Sequence, residues 1–172
     1  MMNVGVIGCG YWGPNLVRNL MELKDCTVAA ISDLSEDRMN AIAAKYPAIK
    51  KCRDYKEILK DTSIPAVVIS TNLVTHYAIT KDALSAGKHV LLEKPITDKP
   101  EDGLKLVKLA AEKQCIFMSG HTFLFNQAIR ATKKYIDAGE IGKVLYLHTD
   151  RTNLGPIRND TNALWDLPPH DI

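Results

Sequence analysis

Nowhere in these 172 residues do 18 or more apolar residues follow one another, and no run of basic residues is interleaved with aromatics. The first absence leaves no candidate for a helix across a bilayer. The second removes the usual footprint of a nucleic-acid binder, and so does the charge balance, with 22 Lys and Arg against 20 Asp and Glu in no one-sided block. No charged-then-apolar leader opens the sequence, which enters a predicted strand at once, so a cytoplasmic protein is expected. Cysteine is scarce and scattered: Cys9, Cys26, Cys52 and Cys115 form no C-x-x-C pair and have no histidine at ligand spacing. Reduced, mostly buried thiols are therefore expected in place of disulfides or zinc. No metal is expected either, since Asp150, Asp166 and His170 match no recognised ligand motif. Internal repeats and low-complexity tracts are also missing. What is there, 46% hydrophobic and 24% charged residues, is a soluble globular composition. The length suits one domain, alone or with the start of a second.

Apolar runs alternate with amphipathic stretches over the first 120 residues, the pattern of β-α-β units around a parallel sheet. Strands are predicted at Asn3–Ile7, Thr27–Ser32, Lys50–Arg53, Ala66–Ser70, His89–Glu93 and Ile116–Ser119. Helices are predicted at Pro14–Lys24, Ser35–Lys45, Asp54–Lys60 and Val74–Ala86, the last closed by Gly87, with a further one starting at Pro100. Six strands alternating with helices give an α/β, doubly wound parallel sheet with helices on both faces. Beyond Gly120 the texture changes: a helix over Gln127–Ala138, a turn at Gly139–Gly142, a longer strand over Val144–Arg151, then an Asn-, Pro- and Gly-rich stretch without clear period.

Between the first strand and first helix lies Gly8-Cys9-Gly10-Tyr11-Trp12-Gly13, a G-x-G-x-x-G. In such a turn the first glycine permits the bend and the second lets the backbone approach a pyrophosphate. The third lets helix and strand pack closely. The anion would rest on the helix N-terminus, where free N–H groups and the dipole favour negative charge. Asp33 ends the second strand, where a carboxylate accepts hydrogen bonds from both adenosine ribose hydroxyls and repels the extra phosphate of NADP. NAD is thus the expected cofactor and NADP the less favoured, with Arg38 nearby weighing the other way. A second reading makes Asp33 the N-cap of the following helix. Cys9 fills its position as a small residue.

At the end of the fifth strand stands Glu93-Lys94-Pro95, on the edge where open α/β sheets bind ligands. A lysine against a cationic nicotinamide would have its charged form disfavoured, and could accept or share the proton of an alcohol. A surface ion pair between Glu93 and Lys94 is an equal alternative on spacing alone.

Together with Thr71-Asn72 followed by His76, Gly120-His121-Thr122-Phe123 and Asp166-Leu-Pro-Pro-His170, these motifs resemble the family of glucose–fructose oxidoreductase, inositol 2-dehydrogenase and MocA (Gfo/Idh/MocA). The resemblance covers the whole chain in order, and Glu-Lys-Pro is its most specific part. It implies a Rossmann-type NAD(P)-binding domain over 1–120, and the truncated start of an α+β substrate and oligomerisation domain over 121–172. It implies a dehydrogenase acting on a secondary alcohol of a sugar, cyclitol or nucleotide sugar, in a full-length homo-oligomer. It places Lys94, Asp166 and His170 in catalysis, with His170 as general acid/base, Lys94 steadying the alkoxide, and Asp166 orienting the substrate or His170. Gly8, Gly10, Tyr11, Trp12, Gly13, Asp33, Thr71, Asn72, His76, Glu93 and Lys94 would line the cofactor. Arg151 and Arg158 suit a phosphate or carboxylate of the substrate, or equally a fold-level ion pair. Thr71-Asn72 could instead cap a helix, and His76 and His121 could be structural. Two other activities share this fold, a cofactor-sensing regulator and a glycosidase that uses NAD transiently. As members usually run to about twice this length, the chain by itself is expected to bind cofactor and turn over poorly.

Overall fold

Runs such as Val67-Val68-Ile69 and Val90-Leu91-Leu92 are apolar on both faces, and a strand of that kind is stable only where something covers each face. The structure, a computed structural model that describes residues 1–150, provides the cover. The backbone divides into two units, Met1–Ser119 and Gly120–Ile172.

The first unit runs β1 (Met2–Ile7), α1 (Gly13–Met21), β2 (Cys26–Ser32), α2 (Glu36–Ala43), β3 (Lys50–Cys52), α3 (Lys56–Lys60), β4 (Ala66–Ile69), α4 (Leu73–Ser85), β5 (His89–Leu92), α5 (Pro100–Glu112) and β6 (Phe117–Ser119). All five strand pairings are parallel, in the order β3-β2-β1-β4-β5-β6. This is the doubly wound Rossmann order. Alternate strand residues feed two separate cores. Ile7, Val67, Ile69, Val90 and Leu92 pack with Ile58 of α3, Leu84 of α4 and Leu106 of α5. Val4, Val6, Val28, Ile31 and Val68 pack on the other face with Val17 of α1 and Met39 and Ile42 of α2. Each such aliphatic side chain contributes about 1.5–3 kcal/mol relative to exposure.

Helix ends follow local chemistry. Pro14 and Pro100 sit in the first turns of α1 and α5, where a missing N–H costs nothing. Gly87, at φ +75°, follows the C-cap of α4. The chain leaves β1 for β2 on one side and returns to β4 on the other, so the loops after β1 and β4 part at the C-terminal edge. That is where such sheets open a ligand crevice.

Among the described residues, two buried hydroxyls have no hydrogen-bond partner, those of Thr80 and Ser119. The Thr80 hydroxyl in α4 is fully buried and makes no hydrogen bond. Val has nearly the same shape and needs no partner, so Thr80→Val is expected to stabilise the chain by about 1 kcal/mol. In a scanning-calorimetry trace that is a rise of roughly 2–4 °C in Tm, and a fall would mean that the hydroxyl is satisfied.

In the second unit, a 3-10 turn at Thr122–Phe125 precedes α6 (Gln127–Asp137). Asn126 caps α6, its side chain accepting from Ala128 N and Ile129 N. The strand expected over Val144–Arg151 is not formed in its described part: residues 144–150 pair with nothing in a ladder, and Val144, Leu145, Tyr146 and Leu147 are exposed. A short apolar run becomes a strand only when a neighbour supplies the ladder, and among the described residues none does.

Candidate functional site

The glycine turn is built from three strand ends. Gly8 N donates to Ser32 O at the end of β2 (2.8 Å), and Ser70 N, just past β4, donates to Ile7 O (2.8 Å). The Ser70 hydroxyl closes the frame by donating to Gly8 O at 2.8 Å. Gly8 sits at φ +99°, and a Cβ there would lie 2.6 Å from the Ser70 carbonyl carbon and oxygen. At Gly13 a Cβ would overlap the Gly8 carbonyl oxygen. Gly10 differs: a Cβ there would meet nothing nearer than Arg38 Nη1 at 4.0 Å. Two glycines are thus required by the protein's own backbone, and the middle one by nothing among the described residues. The open space beside Gly10, at the start of α1, is a cradle in which a pyrophosphate fits. Tyr11 and Trp12 stand exposed at its rim, ring against ring edge-on at 5.6 Å.

Asp33 does not cap α2; Ser35 occupies that position. Its carboxylate spans two segments, with Oδ2 accepting from Cys9 N at 2.7 Å and Oδ1 from Ser35 N at 2.8 Å. Arg38 Nη1 lies 3.9 Å away, its side chain largely exposed. Each carboxylate oxygen accepts more than one hydrogen bond, so both retain capacity for ribose hydroxyls. Cys9 is buried beneath this contact. Burial, reinforced by the Asp33 carboxylate and eased by Arg38, pushes its thiol up to about 12, which makes it a poor nucleophile at neutral pH.

Beyond β4, Asn72 is the N-cap residue of α4, yet its side chain makes no cap hydrogen bond and stands exposed. The Thr75 hydroxyl donates to Asn72 O at 2.7 Å and lies 2.8 Å from the Thr71 hydroxyl. Beyond β5, Glu93 N donates to Ile69 O, extending the β4–β5 ladder by one residue. Burial raises the Glu93 carboxyl above its usual range, against the smaller pull of the Lys94 N–H (3.3 Å) and the Lys94 charge. Lys94 is half-buried, Pro95 is buried, and the peptide between them is cis. His76, in the first turn of α4, is buried, with its ring nitrogens directed at two backbone carbonyls, Pro95 O and Thr71 O.

Comparison with known proteins places this arrangement. The NAD-binding Rossmann-fold profile of the Gfo/Idh/MocA oxidoreductase family matches residues 2–121. The chain belongs to that family. An inositol 2-dehydrogenase of Saccharopolyspora erythraea is 31% identical over 99% of this chain and 52% of its own length. A myo-inositol 2-dehydrogenase of Thermotoga maritima is 28% identical over 99% and 53%. Among solved structures, a 3-ketoreductase from Actinomadura kijaniata in complex with NADP and TDP-benzene superposes with a TM-score of 0.75 at 28% identity, over 80% of this chain and 42% of that one. The chain therefore spans about half the length of these relatives of the Gfo/Idh/MocA family.

Of the residues expected in the site of this family member, Gly8, Gly10, Gly13, Asp33, Thr71, Asn72, Glu93 and Lys94 lie at or just beyond the C-terminal ends of β1, β2, β4 and β5. His76 lies just behind them. Arg151, Arg158, Asp166 and His170 lie outside the described residues. Among the described residues no three His, Cys, Asp or Glu side chains gather as a metal site would require. No described helix is long and apolar enough to cross a membrane. Ser70 went unnoticed in the sequence. Its one signal was a hydroxyl at the end of an apolar strand facing the glycine turn.

Proposed function

We propose that the chain is the cofactor-binding part of an NAD-dependent dehydrogenase that oxidises a secondary alcohol of a sugar, cyclitol or nucleotide sugar. The observation that carries this reading is the open space beside Gly10, framed by two glycines that the fold itself requires and topped by the Asp33 carboxylate. In this reading the N–H groups at the start of α1 hold the pyrophosphate, Asp33 holds the adenosine ribose, and Tyr11 and Trp12 flank the entrance. Thr71, Asn72 and Glu93 bound the crevice towards the nicotinamide end, with His76 buried behind them. The nicotinamide, when bound, supplies the hydride acceptor. Lys94 shares the proton of the substrate hydroxyl, with His170 as general acid/base and Asp166 orienting it. A cyclitol or sugar substrate is supported by the inositol dehydrogenases among the relatives, and a nucleotide sugar by the TDP-benzene complex of the 3-ketoreductase. Arg151 and Arg158 are the residues proposed for a substrate phosphate. NAD is preferred over NADP because a 2′-phosphate would face the Asp33 carboxylate, although that same neighbour is in complex with NADP.

Calorimetric titration of the chain with NADH and with NADPH tests the reading. Saturable binding of NADH, at least tenfold tighter than NADPH, is expected. A folded chain that binds neither would show that the glycine turn is structural only.

A further inference from the structure

A histidine in the first turn of a helix is poorly placed electrostatically, since the dipole there opposes any positive charge on the ring. It is poorly placed by burial as well, and His76 is only 2% exposed. What it obtains in return is specific. Nδ1 lies 2.8 Å from Pro95 O and Nε2 lies 3.1 Å from Thr71 O. Neither carbonyl can donate, so each contact is made by a proton on the ring: the neutral imidazole serves one carbonyl at a time, the protonated ring both. The two carbonyls belong to different loops, one following β4 and one following β5. Pro95 has no N–H through which its turn could be tied, and it directly follows Lys94.

We propose that His76 is a positioning residue, a buried imidazole that clamps the Lys94–Pro95 turn to the loop after β4 and thereby fixes where Lys94 stands against the nicotinamide. This rests on the cofactor reading above. His76 touches neither cofactor nor substrate in this role; it acts through the backbone of Pro95. A lysine displaced by about 1 Å no longer meets the reacting hydroxyl in a productive geometry.

Two conservative variants separate the contacts. The amide of asparagine reaches roughly where Nδ1 does, and that of glutamine roughly where Nε2 does. His76→Asn therefore keeps the bond to Pro95, His76→Gln keeps only the one to Thr71, and His76→Phe keeps neither. The reading is the ratio of NADH to NAD+ affinity of the full chain, because the Lys94 ammonium disfavours the cationic ring. Lys94→Ala is expected to shift that ratio about fivefold towards NAD+. His76→Phe should produce the same shift, and adding Lys94→Ala to it should change nothing further. His76→Asn should restore the ratio and His76→Gln should not. If His76→Phe does not fold, the Asn and Gln variants alone decide. Additive effects of the two sites, or equal behaviour of Asn and Gln, would overturn the clamp. If the parent chain binds neither form of the dinucleotide, the cofactor reading falls, and amide exchange of the unliganded chain judges the clamp separately. His76→Gln should then speed exchange at Ile96–Asp98, His76→Asn should not, and neither should alter the β-strands. Unchanged or uniformly faster exchange would overturn it.

Discussion

Gly8→Ala is expected to cost the chain a large share of its stability, whereas Gly10→Ala should cost it only its dinucleotide. At Gly8 two penalties act together. The residue holds φ +99°, a region that a side chain adopts only under strain, and a Cβ there would press 2.6 Å from the backbone carbonyl of Ser70. That carbonyl cannot step aside, because Ser70 N is bound to Ile7 O and the Ser70 hydroxyl to Gly8 O. Strain and overlap together amount to about 3 kcal/mol or more, a large share of the stability of an ordinary domain. At Gly10 the added methyl meets nothing nearer than the end of the exposed Arg38 side chain at 4.0 Å, so the urea midpoint should move by less than about 0.5 kcal/mol equivalent. The methyl would project into the space assigned to the pyrophosphate, and NADH affinity should fall at least tenfold. Urea unfolding and an NADH titration on both variants check the contrast. Gly10→Ala with unchanged affinity would refute the pyrophosphate cradle, and Gly8→Ala with unchanged stability would refute the frame around it.

The contrast also bears on what a sequence can reveal. Strand positions, helix positions and the glycine turn are legible because each is written locally, in apolar runs, in Pro100 and Gly87, and in a strand–turn–helix context. The division of labour among the three glycines is not local. It depends on Ser70, 62 residues from Gly8 along the chain, and only the folded sheet brings them together. His76 illustrates the same limit from the other side. The family resemblance marks it as a crevice residue, but its two carbonyl partners turn it inwards. The predicted strand over Val144–Arg151 failed in its described part for a related reason. An apolar run marks a candidate strand, and only a neighbouring strand gives it a ladder.

Asp33→Ala is expected to reverse the order of the two dinucleotides rather than merely weaken both. Removal of the carboxylate takes away the acceptor proposed for the ribose hydroxyls, and hydrogen bonds to a charged group are worth about 1.5–3 kcal/mol each. NADH affinity should therefore fall by at least about tenfold. It also takes away the acceptor of Cys9 N, at 2.7 Å, so part of the loss arises from a loosened glycine turn. NADPH suffers that second loss equally, but gains on another account. Its 2′-phosphate no longer faces a carboxylate, and Arg38, now held 3.9 Å from Asp33, is released to meet it. The ratio of NADPH to NADH affinity should rise by about two orders of magnitude, and Arg38→Ala in the same background should remove most of that gain. Added salt should weaken the gain as well, since Arg38 is largely exposed. Equal losses for both dinucleotides would show instead that Asp33 serves only to hold Cys9 N and Ser35 N, with the ribose bound elsewhere.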